Sequence, residues 1–285
     1  MWCICLLLNK GKTLDIFTYI MIFMMGTVFG SFFTLAVYRI PLHKDITHER
    51  SFCPNCNHRL EFIDLIPILS YIFLKGKCRY CGQKIRIRYL ILEILSGIVF
   101  LLAYMSFGIH FPEYNVSTLV AFVAFVFMYI TVVIISGIDK EYRTINQGAI
   151  LFGIIMQVLY ILYLYIVAKT NVYRYSIYLV LILIFELANL LYFKKKKENN
   201  YVLEILLYSS YITFVVGGEL FLVIAILTII LIIISNLIQR VKFNIHDKAD
   251  ILKENVKKKT RIGFYMGIST IIVVLVENIL LYCIK

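Results

Sequence analysis

The chain has 285 residues, of which 61% are hydrophobic and 16% are charged, against about 25% charged residues in an ordinary soluble domain. Several apolar runs reach the ~20 residues that a helix needs to cross a hydrocarbon layer, which excludes a soluble globular protein. The net charge of +12 would suggest a nucleic-acid partner in a soluble protein. Here the basic residues lie between the apolar runs, so we expect contact with membrane lipids and no nucleic acid.

The apolar runs predict an all-α polytopic membrane protein with about eight transmembrane helices. The predicted spans are residues 15–38, 89–109, 118–138, 148–168, 175–193, 201–216, 219–238 and 264–284. The shortest span, 201–216, is followed by Gly217 and Gly218, which suit a tight turn because glycine accepts positive φ. The first apolar run is long enough to span and lacks an A-x-A-like site, so no cleavable signal peptide is expected.

The basic residues predict the orientation of these helices. With the N-terminus outside, 24 of the 29 Lys and Arg residues fall on the inner face, as the positive-inside rule requires. Omitting the 201–216 span would invert the later helices and place Lys257, Lys258 and Lys259 outside. We therefore predict three parts: residues 1–38 with the first helix, a polar inner domain over 39–88, and a seven-helix membrane domain over 89–285.

The polar domain carries two Cys-x-x-Cys pairs, in FCPNCNHRL (52–60) and KCRYCGQKI (77–85). Two residues between thiolates let one tight turn aim both at the same ion, and the spacing of the pairs is close to that of a zinc ribbon. Four thiolates would complete a closed, structural zinc site. The predicted metal ligands are Cys53, Cys56, Cys78 and Cys81.

Other interpretations of the cysteine pairs stay open. The pairs could be metal-free thiols or a redox dithiol, although redox Cys-x-x-Cys motifs usually need a βαβ context, which is absent here. Any of His43, His48 and His58 could replace one thiolate as a ligand.

Several stretches together resemble the type IV prepilin peptidases, the bacterial leader peptidase and N-methyltransferase family. They are GSFFTLAVYRIP (30–41), the paired-cysteine loop, SGIDKEYRTIN (136–146) and TRIGFYMGI (260–268). The resemblance implies a multi-pass protein of the bacterial cytoplasmic membrane, with the zinc domain in the cytoplasm. Its substrates would be type IV prepilins and pseudopilins of pilus and secretion systems, which lose a basic leader at the cytoplasmic face. Many members then methylate the new N-terminus with S-adenosylmethionine, and for this chain that cofactor rests on the resemblance alone.

The family is also an intramembrane aspartyl protease, which requires two neighbouring carboxylates. Because such groups cannot both ionise cheaply, one polarises the scissile carbonyl and the other activates water. The family motif falls on Asp139, at the inner end of the third span. Without the resemblance, Asp139 could equally be a membrane-boundary acid paired with Lys140 or Arg143.

The second carboxylate is harder to place, because the family's Gly-x-Gly-Asp motif is missing. VGGE (216–219) ends in Glu219, but the predicted topology puts that residue at the outer end of its helix. YVLE (201–204) places Glu204 at the depth of Asp139, so we predict Asp139 and Glu204 as the catalytic pair. Glu219, or no working second acid, remain the alternatives.

Glu204 brings a longer side chain than aspartate, and Tyr201 and Leu203 replace the motif's glycines. A second hypothesis follows: a catalytically degenerate relative that acts only as a methyltransferase or as a non-enzymatic assembly component. A zinc-stapled membrane scaffold is a third. Two further acids have expected roles: Glu186, mid-span, in a helix–helix hydrogen bond, and Glu93 in capping its helix or binding the substrate amine.

Overall fold

The structure is a computed structural model that describes residues 13–46, 50–109, 115–167, 169, 172–197, 200–246 and 261–284. Its helices are α1 (Thr13–Arg39), α2 (Leu69–Phe73), α3 (Arg88–Ser106), α4 (Val116–Tyr142), α5 (Gln147–Ile166), α6 (Tyr173–Lys196), α7 (Tyr201–Val216), α8 (Gly218–His246) and α9 (Ile262–Ile284). Short 3-10 turns cover Ile40–Leu42 and Phe62–Leu65. Within these ranges no β-strand forms, only two isolated β-bridges.

The helices confirm the predicted all-α membrane architecture. Among the described residues, seven helices are long and apolar enough to cross a membrane. The eighth, α7, has 16 residues and is about 24 Å long. Its bounds coincide with the predicted span 201–216, and Gly217 has the expected positive φ of 92°. Lys257, Lys258 and Lys259, which entered the orientation argument, lie outside the described residues.

The chain divides into two compact units. The first comprises Met1–Ile130 with Leu275–Lys285, and the second comprises Thr131–Val274. The cysteine loop, within residues 39–88, and the helices α1 and α3 that flank it belong to the first unit. Asp139, Glu204 and Glu219 belong to the second. The predicted domain boundaries at residues 38 and 88 stay a prediction.

In the first unit, α1 and α3 pack closely together where both helices carry glycines. A Cβ on Gly26 would lie 2.7 Å from the carbonyl oxygen of Ser96, and one on Gly30 would lie 2.8 Å from the Cα of Glu93. On α3, a Cβ on Gly97 would lie 2.7 Å from the ring of Phe23 on α1. Small residues four apart let two membrane helices bring their backbones together.

In the second unit, α9 packs against α4 through a similar pair of glycines. A Cβ on Gly263 would lie 3.1 Å from Oδ2 of Asp139, and one on Gly267 would collide with the hydroxyl of Ser136. Asp139 and Ser136 are three residues apart on α4, so they share one face of that helix. The α9 glycines therefore let this face, with its carboxylate, come close to the α9 backbone.

Helix α7 packs against α5, α6 and α8 in the same unit. Its largest side chains are fully buried, among them Tyr208, Tyr211 and Phe214. A Cβ on Gly153 of α5 would lie 2.6 Å from the hydroxyl of Tyr211, so the Tyr211 side chain of α7 packs directly against the backbone of α5. The short α7 is thus enclosed by other helices, which explains how Glu204 in its first turn can be buried.

Candidate metal centre and carboxylate pair

The cysteine loop is fastened at its start by Arg39, the last residue of α1. The guanidinium is buried, and it donates hydrogen bonds to the carbonyls of Asp45 at 2.9 Å and Arg50 at 3.2 Å. A buried arginine that serves two loop carbonyls holds the entry of the loop against the end of the helix.

The two Cys-x-x-Cys pairs form knuckles of the same geometry. In each, the first cysteine donates its backbone NH to the carbonyl five residues later, Cys53 to His58 at 3.0 Å and Cys78 to Gln83 at 2.8 Å. The residue after each pair's second cysteine has positive φ, 54° at Asn57 and 69° at Gly82. An asparagine and a glycine are the residues that tolerate this conformation best.

The four cysteines form a cluster whose geometry suits a tetrahedral metal. Their Sγ atoms all lie within 4.8 Å of one another, and the Sγ atoms of Cys53 and Cys81 are 3.9 Å apart. A zinc–sulfur distance of about 2.3 Å gives sulfur–sulfur edges of about 3.8 Å in a tetrahedron. The described cysteines of the loop are free thiols, so the predicted ligands stand together and can bind one metal ion.

The polar environment of the thiols also favours a cation. The backbone NH of Gln83 and the side-chain amide of Asn55 lower the pKa of Cys81 to about 6, which makes it a thiolate at neutral pH. A hydrogen bond from the backbone NH of His58 lowers the pKa of Cys56. Desolvation and the neighbouring thiols of Cys53 and Cys81 outweigh this bond and raise the pKa of Cys56 to about 11. Thiolates this close ionise together only with a positive ion between them.

The histidines do not join this cluster in the part of the chain that the structure describes. His58 stacks on Tyr80 across the two knuckles, with ring centroids 3.6 Å apart. His43 follows the first 3-10 turn in a left-handed conformation, and His48 lies outside the described residues.

Glu93 has a role in the loop that the sequence did not predict. It lies in the second turn of α3, and no side chain caps the start of this helix. Its Oε2 accepts a hydrogen bond from the backbone NH of Ile68 at 2.8 Å, and the side chain is buried. Glu93 thus fastens the loop to α3, and the predicted capping role is wrong because the carboxylate lies beyond the first turn.

Asp139 lies near the end of α4 and is fully buried. Its Oδ1 accepts a hydrogen bond from the Tyr201 hydroxyl at 2.8 Å, and its Oδ2 accepts one from the backbone NH of Phe264 at 2.9 Å. The Lys140 ammonium lies instead 4.7 Å from the centroid of the Phe264 ring. Asp139 is therefore bonded to α7 and α9 rather than to its basic neighbours.

Glu204 lies in the first turn of α7 and is 1% exposed. Its Oε2 accepts a hydrogen bond from the backbone NH of Ile145 at 3.1 Å, in the connection between α4 and α5. Asn146 caps α5 by accepting from Ala149 at 2.9 Å. Asn200 caps α7 by accepting from Val202 at 3.0 Å, which fixes the helix start just before Glu204.

The structure joins the segments that bear the two predicted catalytic carboxylates in one cluster of hydrogen bonds. Asp139 on α4 bonds to Tyr201 in the first turn of α7, and Glu204 in that same turn bonds to Ile145 just after α4. Tyr201 and Glu204 are three residues apart, so they share a face of α7. Glu219 is exposed at the start of α8, beyond the opposite end of α7 and about 24 Å away along the α7 axis, and is not part of this cluster.

Glu186 does not make the predicted helix–helix hydrogen bond. It is half-buried on α6, and no hydrogen bond to it is found within the described part of the chain. Leu183 and Leu190, three residues before and four after it, are 66% and 52% exposed. Ile182 and Asn189, four residues before and three after it, are only 3% and 1% exposed, so Glu186 lies at the border between the buried and the exposed face of α6, and its predicted bond is not formed within the described residues.

Three groups at the carboxylates were missed from the sequence: the hydroxyl of Tyr201 and the backbone NH groups of Ile145 and Phe264. The asparagines before α5 and α7 are recognisable N-caps and could have fixed those helix starts. No sequence pattern indicates the two NH donors, because they depend on which helices are neighbours.

The fold and the cysteine cluster define a multi-pass membrane protein with a small loop after its first helix whose four cysteines can hold a metal ion. Residues 24–107 match the family model of the bacterial peptidase A24 N-terminal domain. This part of the chain, 84 of its 285 residues, is therefore similar to that family's N-terminal domain. No solved structure matches the chain.

Curated relatives carry one recurring name. The prepilin leader peptidase/N-methyltransferase of Bacillus subtilis (strain 168) is 44% identical over 88 residues, which are 31% of this chain and 36% of that protein. The protein of that name from Klebsiella pneumoniae is 40% identical over 88 residues, 29% of this chain and 39% of that protein. The protein of that name from Myxococcus xanthus (strain DK1622) is 38% identical over 89 residues, which are 31% of this chain and 27% of that protein. The chain thus spans about a third of the length of the relatives it matches.

Proposed function

We propose that the protein is an intramembrane aspartyl endopeptidase that removes the basic leader of type IV prepilins or pseudopilins at the cytoplasmic membrane face. The relatives' shared name supports this general activity. The observation that carries the proposal for this chain is the buried cluster in which Asp139 and Glu204 each bond to the segment that bears the other. The family match covers residues 24–107 and does not include this cluster.

The proposed chemistry needs one ionised and one protonated carboxylate. An ionised carboxylate only accepts hydrogen bonds, and both oxygens of Asp139 accept one. We therefore assign Asp139 to the base, which takes the proton of the attacking water. Glu204 would carry the shared proton and polarise the scissile carbonyl, and Asp139 would pass the proton it took from water to the departing amine.

We propose zinc as the metal of the cysteine cluster. Four cysteine ligands without an open position are typical of a structural zinc, and a loop of this size has no hydrophobic core of its own to hold it. In this proposal residues 39–88 form a cytoplasmic zinc domain, between the first helix (1–38) and a membrane peptidase domain (89–285). The substrate's apolar helix would reach the carboxylates from the bilayer.

A second candidate function rests on Tyr201. Its hydroxyl is bonded to Asp139, at a position where the family motif has a glycine. If this bond blocks the carboxylate, the protein would have lost cleavage and would act as a methyltransferase or as a non-enzymatic component of pilus or secretion assembly. Methyl transfer would use S-adenosylmethionine, which the relatives' name implies.

One reconstitution separates the two functions. The purified protein in vesicles is given a cognate prepilin, and leader removal is followed by mass shift while methyl transfer is followed with labelled S-adenosylmethionine on a pre-cleaved pilin. The peptidase proposal predicts cleavage by wild type and none by Asp139→Asn. Methyl transfer, or pilus assembly in cells, without cleavage of any cognate prepilin would support the second candidate and overturn the first.

A further inference from the structure

The cysteine loop contains a stretch of exposed apolar side chains that the proposed peptidase chemistry does not use. This 62–73 segment reads FIDLIPILSYIF. Phe62 is 83% exposed and Phe73 is 79% exposed, and Ile63, Leu65, Leu69 and Ile72 are also exposed. Six exposed large apolar residues within so short a stretch mark a contact surface rather than an ordinary loop.

These side chains form one uncharged surface. The 3-10 turn Phe62–Leu65 contacts α2, so both ends of the 62–73 segment lie together. The one acid between them, Asp64, has a side chain that is 3% exposed. It accepts hydrogen bonds from Arg79 at 2.7 Å and from the Tyr80 hydroxyl at 3.1 Å, so its charge is neutralised inside the loop.

A strained turn holds the middle of the 62–73 segment in place. Ile68 has φ 61° and ψ −54°, and Leu69 donates its NH to the carbonyl of Pro67 at 2.6 Å. This is the rare form of γ-turn, and a positive φ is unusual for a β-branched residue. The backbone NH of Ile68 donates a hydrogen bond to the buried carboxylate of Glu93. Such strain persists only where the surroundings impose it.

The bond to Glu93 places the segment at the depth of the membrane helices. Glu93 lies five residues into α3, about 7 Å from its start. Across from it on α1 is Gly30, nine residues and about 14 Å before that helix ends. Both helices are candidate membrane spans. The middle of the 62–73 segment is therefore fixed beside the second turn of α3, which is itself a candidate membrane span.

We propose that the 62–73 segment is an interfacial anchor that inserts its apolar side chains into the headgroup–acyl boundary of a bilayer containing anionic lipids. The exposed basic residues that follow, Lys75, Lys77 and Arg86, lie where anionic headgroups would meet them. Apolar side chains beside basic ones are the pattern of surface-bound membrane segments. The same charges disfavour a basic leader peptide as the occupant.

Tryptophan fluorescence tests this in the 285-residue chain, whose one tryptophan is Trp2. In a Trp2→Phe background, Phe62→Trp and Phe73→Trp each place a probe at an exposed site where packing does not change. Gln83→Trp, on the exposed second knuckle, is the matched control. The proteins are placed in vesicles of equal parts phosphatidylcholine and phosphatidylglycerol whose acyl chains are brominated near the headgroup. An unchanged metal content shows that each variant is folded.

The probes at 62 and 73 are expected to lose most of their emission to bromine and to resist iodide in the water, whereas the probe at 83 behaves oppositely. Glu93→Ala is expected to weaken bromine quenching at 73, and Glu93→Gln, whose amide oxygen still accepts the Ile68 NH, to preserve it. Iodide quenching at 62 and 73 equal to that at 83 would overturn the proposal. So would protection that arises only after a prepilin is added, because that would identify a protein occupant.

Discussion

The hydroxyl of Tyr201 is the least expected group at the carboxylates. It donates to Asp139 at 2.8 Å and accepts from the backbone NH of Ile262 at 3.1 Å. One side chain on α7 thereby joins the end of α4 to the start of α9. If YVLE (201–204) stands at the family's Gly-x-Gly-Asp motif, as we propose, a tyrosine that bonds to the carboxylate replaces a glycine there.

Tyr201→Phe is expected to lower kcat for leader removal by roughly tenfold or more, with little change in KM. A hydrogen bond to a charged group contributes about 1.5–3 kcal/mol, and each 1.4 kcal/mol is a factor of ten in rate. The measurement is the initial rate of cleavage over a range of prepilin concentrations.

Tyr178→Phe is the control for this substitution, because its hydroxyl bonds to Gly218 at the other end of α7. It is expected to leave kcat unchanged. A faster rate with Tyr201→Phe would show that the hydroxyl blocks Asp139 and would favour the degenerate relative.

At the scale of helices, close contact through glycine shapes both units. On α1, a Cβ at Gly26 would meet Ser96 O, Gly97 Cα and Phe100 Cβ within 2.8 Å. These atoms belong to the backbone of α3 or are attached directly to it, so they cannot move without moving the helix. The helix pair therefore depends on the absence of a side chain at this position.

Gly26→Ala is expected to destabilise the protein by about 1–3 kcal/mol, the usual effect of overpacking a close contact. The measurement is the midpoint of unfolding in detergent, with Val28→Ala on the exposed face of the same helix as the control. A midpoint for Gly26→Ala equal to that of Val28→Ala would show that α1 and α3 do not depend on this contact.

The sequence predicted the helices well, because each apolar run matches the thickness of a membrane and is bounded by charged or turn-forming residues. It placed Glu204 at the start of a helix for the same reason. It did not predict which helices touch. The Glu93–Ile68 bond and the Tyr201–Asp139 bond join residues 25 and 62 positions apart, and such contacts depend on helix packing. Glu186 was misjudged because a polar residue mid-span does not indicate which way its face points.

For the whole molecule, the two compact units predict that metal loss acts locally. Chelation is expected to release one zinc per chain and to disorder the cysteine loop, since the thiolates hold its two knuckles together. Helices α5 to α8 lie entirely in the second unit and should stay folded. Proteolysis sites within residues 50–86, with far-UV circular dichroism nearly unchanged, would agree with this.

The control for chelation is Cys81→Ser, which removes one ligand and should give the same cleavage pattern without chelator. Cooperative loss of helical signal in either experiment would contradict the local role of the metal and show that the loop supports the entire fold.

The most direct test compares Glu204, at the start of α7, with Glu219, at the start of α8 just beyond the other end of α7. Cleavage rates of a cognate prepilin are measured for wild type, Glu204→Gln and Glu219→Gln in the same vesicles. Because Glu204 is buried beside the Asp139 segment and Glu219 is exposed at the far end, Glu204→Gln should abolish cleavage and Glu219→Gln should leave it near the wild-type rate. Loss of cleavage with Glu219→Gln but not with Glu204→Gln would contradict the carboxylate pair.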